Sequence, residues 1–227
     1  MKSSWLSSVL YTSRYVLMAA ITAFLLITSC PVSATIVSGA VTGGSSLKQG
    51  GTFVKLSVPF TDSEPHNTVG ANTFQKPNLY GFDEGQNIHI TVDLAVDILA
   101  DGSGGGNGAG TIHSGSTVAS HYIFFDPLRG TTQQGTVSFD SKIIGIISRS
   151  RNLAASDFLI NTGVTYLNPS ARGLESGDKV RITGLRTLAV DWSASSPGDY
   201  IRVLTDFSPA AAGRWFRLFE MPNPFHK

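Results

Sequence analysis

The sequence predicts an all-β fold, a two-sheet antiparallel β-sandwich of jelly-roll-like type carrying one short helix. Three observations lead there. Residues Ile88–Ile98, IHITVDLAVDI, alternate apolar and polar side chains over eleven positions, the period of a strand with one face buried and one wet. Shorter runs of similar character recur along the chain, separated by turn signals at Gly50-Gly51, Asp126-Pro127, Asn168-Pro169 and Ser196-Pro197-Gly198-Asp199. Glycine is abundant, at 24 residues, and charged residues make up only 15%, which is the balance of a turn-rich extracellular β protein.

Taken in order, Val54, Leu56, Val58 and Phe60 alternate with Lys55 and Ser57 in the first strand candidate. Ile88–Ile98 follows. Asp101–Thr117, DGSGGGNGAGTIHSGST, holds seven glycines and almost no apolar residue, so it reads as a mobile loop between strands. Val118–Phe125, Thr136–Phe139 and Ile143–Ser148 are further strand candidates. Asn152–Ile160, NLAASDFLI, is the one helical stretch, stopped by Gly163. Lys179–Thr183, Leu188–Ser193 and Tyr200–Thr205 complete the set. Trp192 falls on the apolar phase of its strand and is expected in the core. Arg202 lies between Ile201 and Val203 and is expected to face outward, pairing with Asp191 across a hairpin closed by the Pro197-Gly198 turn, where Gly198 supplies positive φ.

Three regions divide the chain: 1–34 as a signal peptide, 35–208 as the β-sandwich, and 209–227 as a basic, aromatic tail. Lys2 and Arg14 precede an apolar run, Tyr15–Ile27, and then small residues, which are the parts of a secretory leader. A helix of that run would reach only ~20 Å, short of the ~30 Å hydrocarbon core, so no transmembrane span is expected. Two exits compete. Val32-Ser33-Ala34 suits signal peptidase cleavage after Ala34, with Thr35 first in the mature chain. Leu26–Cys30 resembles a lipobox, in which Cys30 would carry the lipid, although Pro31 is an awkward second residue for a lipoprotein. Cleavage after Ala34 is the preferred reading and removes the only cysteine. Secretion to the periplasm or medium is therefore expected, with lipid anchoring through Cys30 as the alternative. An exported domain without disulfides must be held by its core.

Removing Lys2 and Arg14 with the leader leaves 15 basic residues against the 16 acidic ones, a formal charge of −1. That argues against a nucleic-acid partner, which calls for a basic stripe. His66, His89, His113, His121 and His226 are far apart in sequence and form no zinc motif. No nucleophile elbow or phosphate-cradling loop is present. Asp93 and Asp97 would share a strand face ~13 Å apart, too far for a glycosidase pair or a shared ion. Asp83, Glu84 and Asp101 are the candidates for a calcium site, although no cofactor is required by any motif. Tyr80, Tyr122, Tyr166, Trp192 and Tyr200 are the rings available for a sugar platform.

Residues 135–178, GTVSFDSKIIGIISRSRNLAASDFLINTGVTYLNPSARGLESGD, and 190–206, VDWSASSPGDYIRVLTD, together with VASHYIFFDP at 118–127, resemble a group of exported bacterial proteins. Its members are PEP-CTERM-sorted or otherwise anchored surface proteins. The resemblance implies an exported β-sandwich and carries no catalytic residues. The end of this chain, EMPNPFHK, departs from the sorting signal, so release is expected in place of exosortase-type processing. Within that group Gly145 would permit a close strand approach, and Ser156-Asp157 would start a helix. The expected function is a non-enzymatic structural or adhesive role at the cell surface or in extracellular matrix, with polysaccharide or matrix as partner. The alternatives are a carbohydrate-binding module, which needs exposed aromatic rings, and a polysaccharide hydrolase, which needs paired carboxylates such as Asp93 or Asp140 across a concave face.

Overall fold

Apolar alternation and β-branched content build fourteen strands, seen in a computed structural model that describes residues 34–100, 110–160, 163–195 and 197–207. These lie within one compact unit, Ser33–Lys227. Residues 1–33, with Cys30 among them and where a leader was expected, and residues 209–227 lie outside the described residues. The first half contains β1 (Ile36–Gly43), α1 (Gly44–Lys48), β2 (Phe53–Lys55), β3 (Thr68–Val69), β4 (Leu79–His89), β5 (Leu94–Val96), β6 (Ile98–Leu99) and β7 (Gly110–Ile112). The second contains β8 (Thr117–Phe125), β9 (Thr131–Phe139), β10 (Ile143–Ile147), α2 (Ser150–Ala155) and β11 (Thr165–Tyr166). It closes with β12 (Lys179–Gly184), β13 (Thr187–Ala194) and β14 (Asp199–Asp206).

Two sheets make the sandwich. One has four strands, β1-β9-β13-β12, all antiparallel; the other has six, β2-β4-β8-β14-β10-β6, antiparallel except for the parallel β2–β4 pair. Ile36, Val137, Leu188, Val190 and Trp192 of the four-stranded sheet meet Leu79, Ile123, Phe125, Ile146, Ile201 and Val203 of the six-stranded one. Trp192 is 1% exposed, as its phase predicted.

The six-stranded sheet is buried on its other face as well. Tyr80, Phe82, Tyr122, Phe124, Tyr200 and Leu204 project there, under a cover that includes Leu56, Phe60, Phe74, Leu153 and Leu159. The cover is made of loops, short helical turns and two-stranded ladders, with aromatic pairs such as Tyr80–Phe124 and Phe124–Tyr200 stacked at 5.2 and 6.0 Å. A sheet covered on both faces reads as continuous apolar runs, which is why β8, TVASHYIFF, and β14, DYIRVLTD, carry so little polar alternation.

Several expectations are corrected. Ile88–Ile98 is not one strand. β4 ends at His89, residues 91–93 turn through solvent with Val92 60% exposed, and β5 then pairs with β7. Ile90 is buried and its backbone bonds Ser116 and Gly115, so the apolar phase survives a break that the period alone cannot reveal. The described end of the glycine-rich segment is partly strand and not loop, because Gly110–Ile112 is β7 and Thr117 opens β8. Residues 101–109 lie outside the described residues. A second short helix, α1, joins the one expected near 152–160, where α2 is followed by a 3-10 turn, Asp157–Leu159.

β13 and β14 do not form a hairpin. The chain crosses there from one sheet to the other, so the Pro197-Gly198 corner connects layers. Gly198 has φ +88°, and a Cβ on it would stand 2.6 Å from the Phe125 carbonyl, so glycine is required. Gly145 allows the expected close approach, since a Cβ there would lie 3.1 Å from Val96. No helix among the described residues is long and apolar enough to cross a membrane.

Candidate functional site

The polar chemistry of this chain is concentrated in the six-stranded sheet, and the first cluster begins with a bulge. Asp83 pairs with His121 and Gly85 with Ser120, so Glu84 is the additional residue of a β-bulge. The bulge sends Glu84 into the loop-covered layer, where Arg202 of β14 meets it with two bonds of 2.7 and 2.9 Å. Ser120 and Tyr166 each donate to the same carboxylate at 2.6 Å. Arg202 also donates to Asp157 at 3.2 Å, to the Leu153 carbonyl at 3.0 Å and to the Ser156 hydroxyl. Asp157 in turn receives a two-pronged pair from Arg172, whose guanidinium lies over the Tyr166 ring.

Burial alone would raise the Glu84 carboxyl and lower the Arg202 guanidinium, but their mutual charge reverses both, so the pair is ionised. Arg202 and Glu84 are both fully enclosed, which overturns the outward placement of Arg202 and its pairing with Asp191. Asp191 lies on the other sheet, where the Gln134 amide donates to it at 3.4 Å. Ser156-Asp157 does not start a helix through a side-chain cap either. Ser156 donates to the Leu153 carbonyl and Asp157 serves the two arginines. The cluster brings together strands 118 residues apart and fixes the helical turn against the sheet.

The second cluster lies on the opposite face of the same strands. His121 Nδ1 is 2.6 Å from Asp83 Oδ1, and His121 Nε2 is 3.0 Å from the Thr205 hydroxyl. Since an ionised carboxylate only accepts, Nδ1 carries the hydrogen. Acid, imidazole and hydroxyl thus stand in the order of a hydrolase triad. Access decides against that role: His121 and Thr205 are 0% exposed, so no carbonyl carbon can reach the hydroxyl. Asp83 also pairs with Lys55 at 2.9 Å and accepts from the Thr35 hydroxyl and the Ile36 amide. Burial raises this carboxyl, yet the hydrogen bond and charge of His121, followed by Thr35 and Ile36, hold it well below the usual carboxylate range.

The third cluster borders a cleft of about 580 Å³ lined by Asp97, Ser148, Arg149, Glu175, Asp178 and Lys179, among others. Asp178 Oδ1 accepts from the Ser193 amide at 2.8 Å, and Oδ2 from the Glu175 amide at 3.0 Å. Behind it, Asp199 is 1% exposed, with Oδ2 unpartnered among the described residues. Burial, the Asp178 charge and a hydrogen bond to Asp178 push the Asp199 carboxyl up to about 8. A buried carboxyl that holds its proton strongly, beside a second carboxyl, is the form a general acid takes. Asp199 is shut off from the cleft, however, and a general acid must reach the atom it protonates.

The other candidates are dispersed. Asp93 is exposed and accepts from the Ser114 amide at 2.9 Å and lies 3.3 Å from His113, whereas Asp97 is buried and binds the start of α2; the two do not share a wet face. Asp140 accepts from the Thr35 amide at 2.8 Å. Asp83 and Glu84, taken as calcium candidates, project to opposite faces of the sheet, each occupied by a cationic or hydrogen-bonded partner, so they cannot hold one ion together. Asp101 lies outside the described residues. Among the described residues no three His, Cys, Asp or Glu side chains are grouped to hold a metal. Tyr80, Tyr122, Tyr200 and Trp192 are interior and Tyr166 is half-buried, so these rings form no exposed strip for sugar stacking.

One surface escaped the residue-by-residue reading. Thr132, Gln134 and Thr136 of β9, Ser193 of β13, and Lys179 and Arg181 of β12 are exposed on the outer side of the four-stranded sheet. Its register aligns Ala40, Thr136, Ala189 and Arg181 across all four strands. The alternation in TTQQGTVSF encodes this face, but only the sheet order shows that it is continuous. Comparison with protein-family models, curated proteins and solved structures gives no match to this chain.

Proposed function

We propose that this protein is an exported, non-enzymatic β-sandwich with a structural or adhesive role at the cell surface or in extracellular matrix, in the manner of the PEP-CTERM-type surface proteins it resembles. The observation that carries the reading is the continuous outer face of the four-stranded sheet, set with small hydroxyl and amide side chains and a basic margin at Lys179 and Arg181. Such a face offers many weak hydrogen bonds to a repetitive polar surface, whether polysaccharide or matrix, with the cleft beside Lys179 and Arg181 at its margin. The enclosure of Arg202, Glu84, His121 and Thr205 supports the same reading, because the groups best suited to chemistry are out of reach of substrate.

The test is incubation of the exported protein with a panel of insoluble and immobilised polysaccharides, with calcium and with chelator, reading both retention and release of reducing ends. The expected outcome is retention on matrix material without release of reducing ends. Release that disappears in Asp178→Asn would overturn the non-enzymatic reading. Absence of retention on every surface would remove the adhesive role.

A further inference from the structure

We infer that removal of the leader creates a ligand for the domain itself: the α-ammonium of Thr35 docks between Asp140 and Asp83 and locks β1 into the sandwich. The inference rests on the export reading, in which the bond after Ala34 is cut. In that step water adds across the Ala34–Thr35 amide. Ala34 departs with the new carboxylate, and Thr35 keeps the nitrogen, which takes up a proton to become an ammonium.

The receiving groups are already in place. The Thr35 nitrogen lies 2.8 Å from Asp140 Oδ1, and the Ser141 hydroxyl donates to the same oxygen at 3.0 Å. The Thr35 hydroxyl donates to Asp83 Oδ2 at 2.6 Å, and the Ile36 amide donates to Asp83 Oδ1 at 3.0 Å. The Asp140 amide donates to the Thr35 carbonyl at 3.1 Å, so this residue is gripped from both ends. The charge inventory favours one more cation. Asp83 is matched by Lys55 at 2.9 Å and hydrogen-bonded to His121, but Asp140 has no ion-pair partner within 4 Å among the described residues. An amide N–H offers Asp140 one neutral bond. An ammonium at the same atom offers a charge-assisted bond and two further hydrogens beside a second carboxylate. Capture of an N-terminal amine is a recurring mode of terminus recognition, and here carboxylates would perform it and report to the fold that the leader has gone.

The titratable and charged groups around this nitrogen are Asp140, Asp83, Lys55 and, through Asp83, His121. Lys55, which donates to the Thr35 hydroxyl and to the Ile36 carbonyl at 2.7 Å, lowers the ammonium's affinity for its proton, and the two carboxylates outweigh it and raise that affinity above the ordinary α-amino value of about 7.7–8.0. A cation so raised stabilises the fold below pH ~8, and the gain is lost as pH rises through the higher folded value.

The experiment compares chains that begin at Thr35 and at Ser33, both ending at Lys227, each with and without Asp140→Asn. The α-amino group is titrated by NMR and thermal unfolding is followed from pH 6 to 10. For the Thr35 chain we expect an α-amino pKa raised by about one unit, and at pH 6–7 a Tm about 2–4 °C above that of the Ser33 chain, the gap closing at high pH. Asp140→Asn should lower the Thr35 chain's Tm more than the Ser33 chain's. An α-amino group titrating at its ordinary value, or equal Asp140→Asn losses in the two chains, would overturn the docking site. If Asp140→Asn fails to fold, the titration and the pH dependence of the two unmutated chains decide. The intact mass of full-length protein exported by a Gram-negative host tests the underlying reading separately. A mass beginning at Thr35 supports it; a diacylated Cys30 start would overturn the maturation step, while the titration still decides whether the carboxylates bind an ammonium.

Discussion

Asp199 shows how one side chain can set a pH response for the whole domain. Its carboxyl is pushed up to about 8 by burial and by Asp178, whereas in the unfolded chain it titrates near 3.9. Between those values the folded state holds a proton that the unfolded state has released. The unfolded state binds fewer protons, so stability falls as pH rises from about 4 to about 8 on account of this residue. Asp199→Asn keeps the shape, can donate to Asp178 and cannot ionise. The expected outcome is a variant that lacks this decline and is more stable at pH 8 by on the order of 2 kcal/mol, measured by urea unfolding across pH. A variant with the parent's pH slope would place the titration elsewhere. Asp83 and Glu84 act with the opposite sign. Their carboxyls are held below the usual range, so their contribution is lost as pH falls, and both proteins should keep that acid limb. None of this was legible at residue scale. Asp199 belonged to a turn signal, Asp178 lies 21 residues earlier, and only the crossing between sheets brings them together.

At the scale of elements, Asp97 illustrates where the period-two reading succeeded and where it failed. The alternation around it placed Leu94 and Val96 inside correctly. It placed Asp97 outside, because in a strand the neighbours of buried residues face solvent. The chain instead turns at Asp97, whose Oδ2 accepts from the Ser148 and Arg149 amides at 2.7 and 2.9 Å, while Oδ1 accepts from Asn152 at 2.7 Å. Two of these donors are the backbone amides at the entry to α2, on Ser148 and the N-cap residue Arg149, and the third is the side-chain amide of Asn152; Arg149 itself provides no side-chain cap. A carboxylate reaching from 51 residues away thus anchors the entry to the helix and its third residue, a place where α2 has no cap of its own. Asp97→Ala should cost about 2 kcal/mol, within the range for buried charged hydrogen bonds. The loss should be local, with hydrogen exchange at the Leu153 and Ser156 amides accelerated far more than in β8. Uniform acceleration would show that α2 opens only with the whole domain. The strands that were read correctly, β8, β10, β12, β13 and β14, are those whose apolar content suits burial whatever their partner. Among those missed, β1 and residues 79–87 of β4 are glycine-rich or carry charges whose partners are remote in sequence, and β3, β7 and β11 are only two or three residues long.

At the scale of the molecule, the arrangement is a stiff central sheet with a sheet on one face and a quilt of loops on the other. β8 and β14 are neighbours in the middle of the six-stranded order, each paired on both sides and buried at almost every position. Their hydrogen bonds can break only when both layers separate, so their amides should exchange through global unfolding alone. The β5–β7 ladder has three residues per strand and no further strand partner among the described residues, and should open on its own. Hydrogen exchange followed by mass spectrometry therefore has a defined expected order. Peptides from Ile123–Phe125 and Ile201–Leu204 should be slowest, with opening free energies equal to the global value from denaturant. Peptides from Leu94–Val96 should be faster by at least two orders of magnitude, roughly 3 kcal/mol. The Arg202–Glu84 cluster strengthens this expectation, because opening either layer around β14 would expose a guanidinium and carboxylate already matched to each other and to Ser120 and Tyr166. If β14 exchanged as fast as β5, the central sheet would not be the rigid element, and the four-stranded face mounted on it would be a poor platform for binding a repetitive surface. Slow exchange in β14 together with retention on matrix would join the two properties that the structural reading requires: a frame that does not yield and a polar face that stays open.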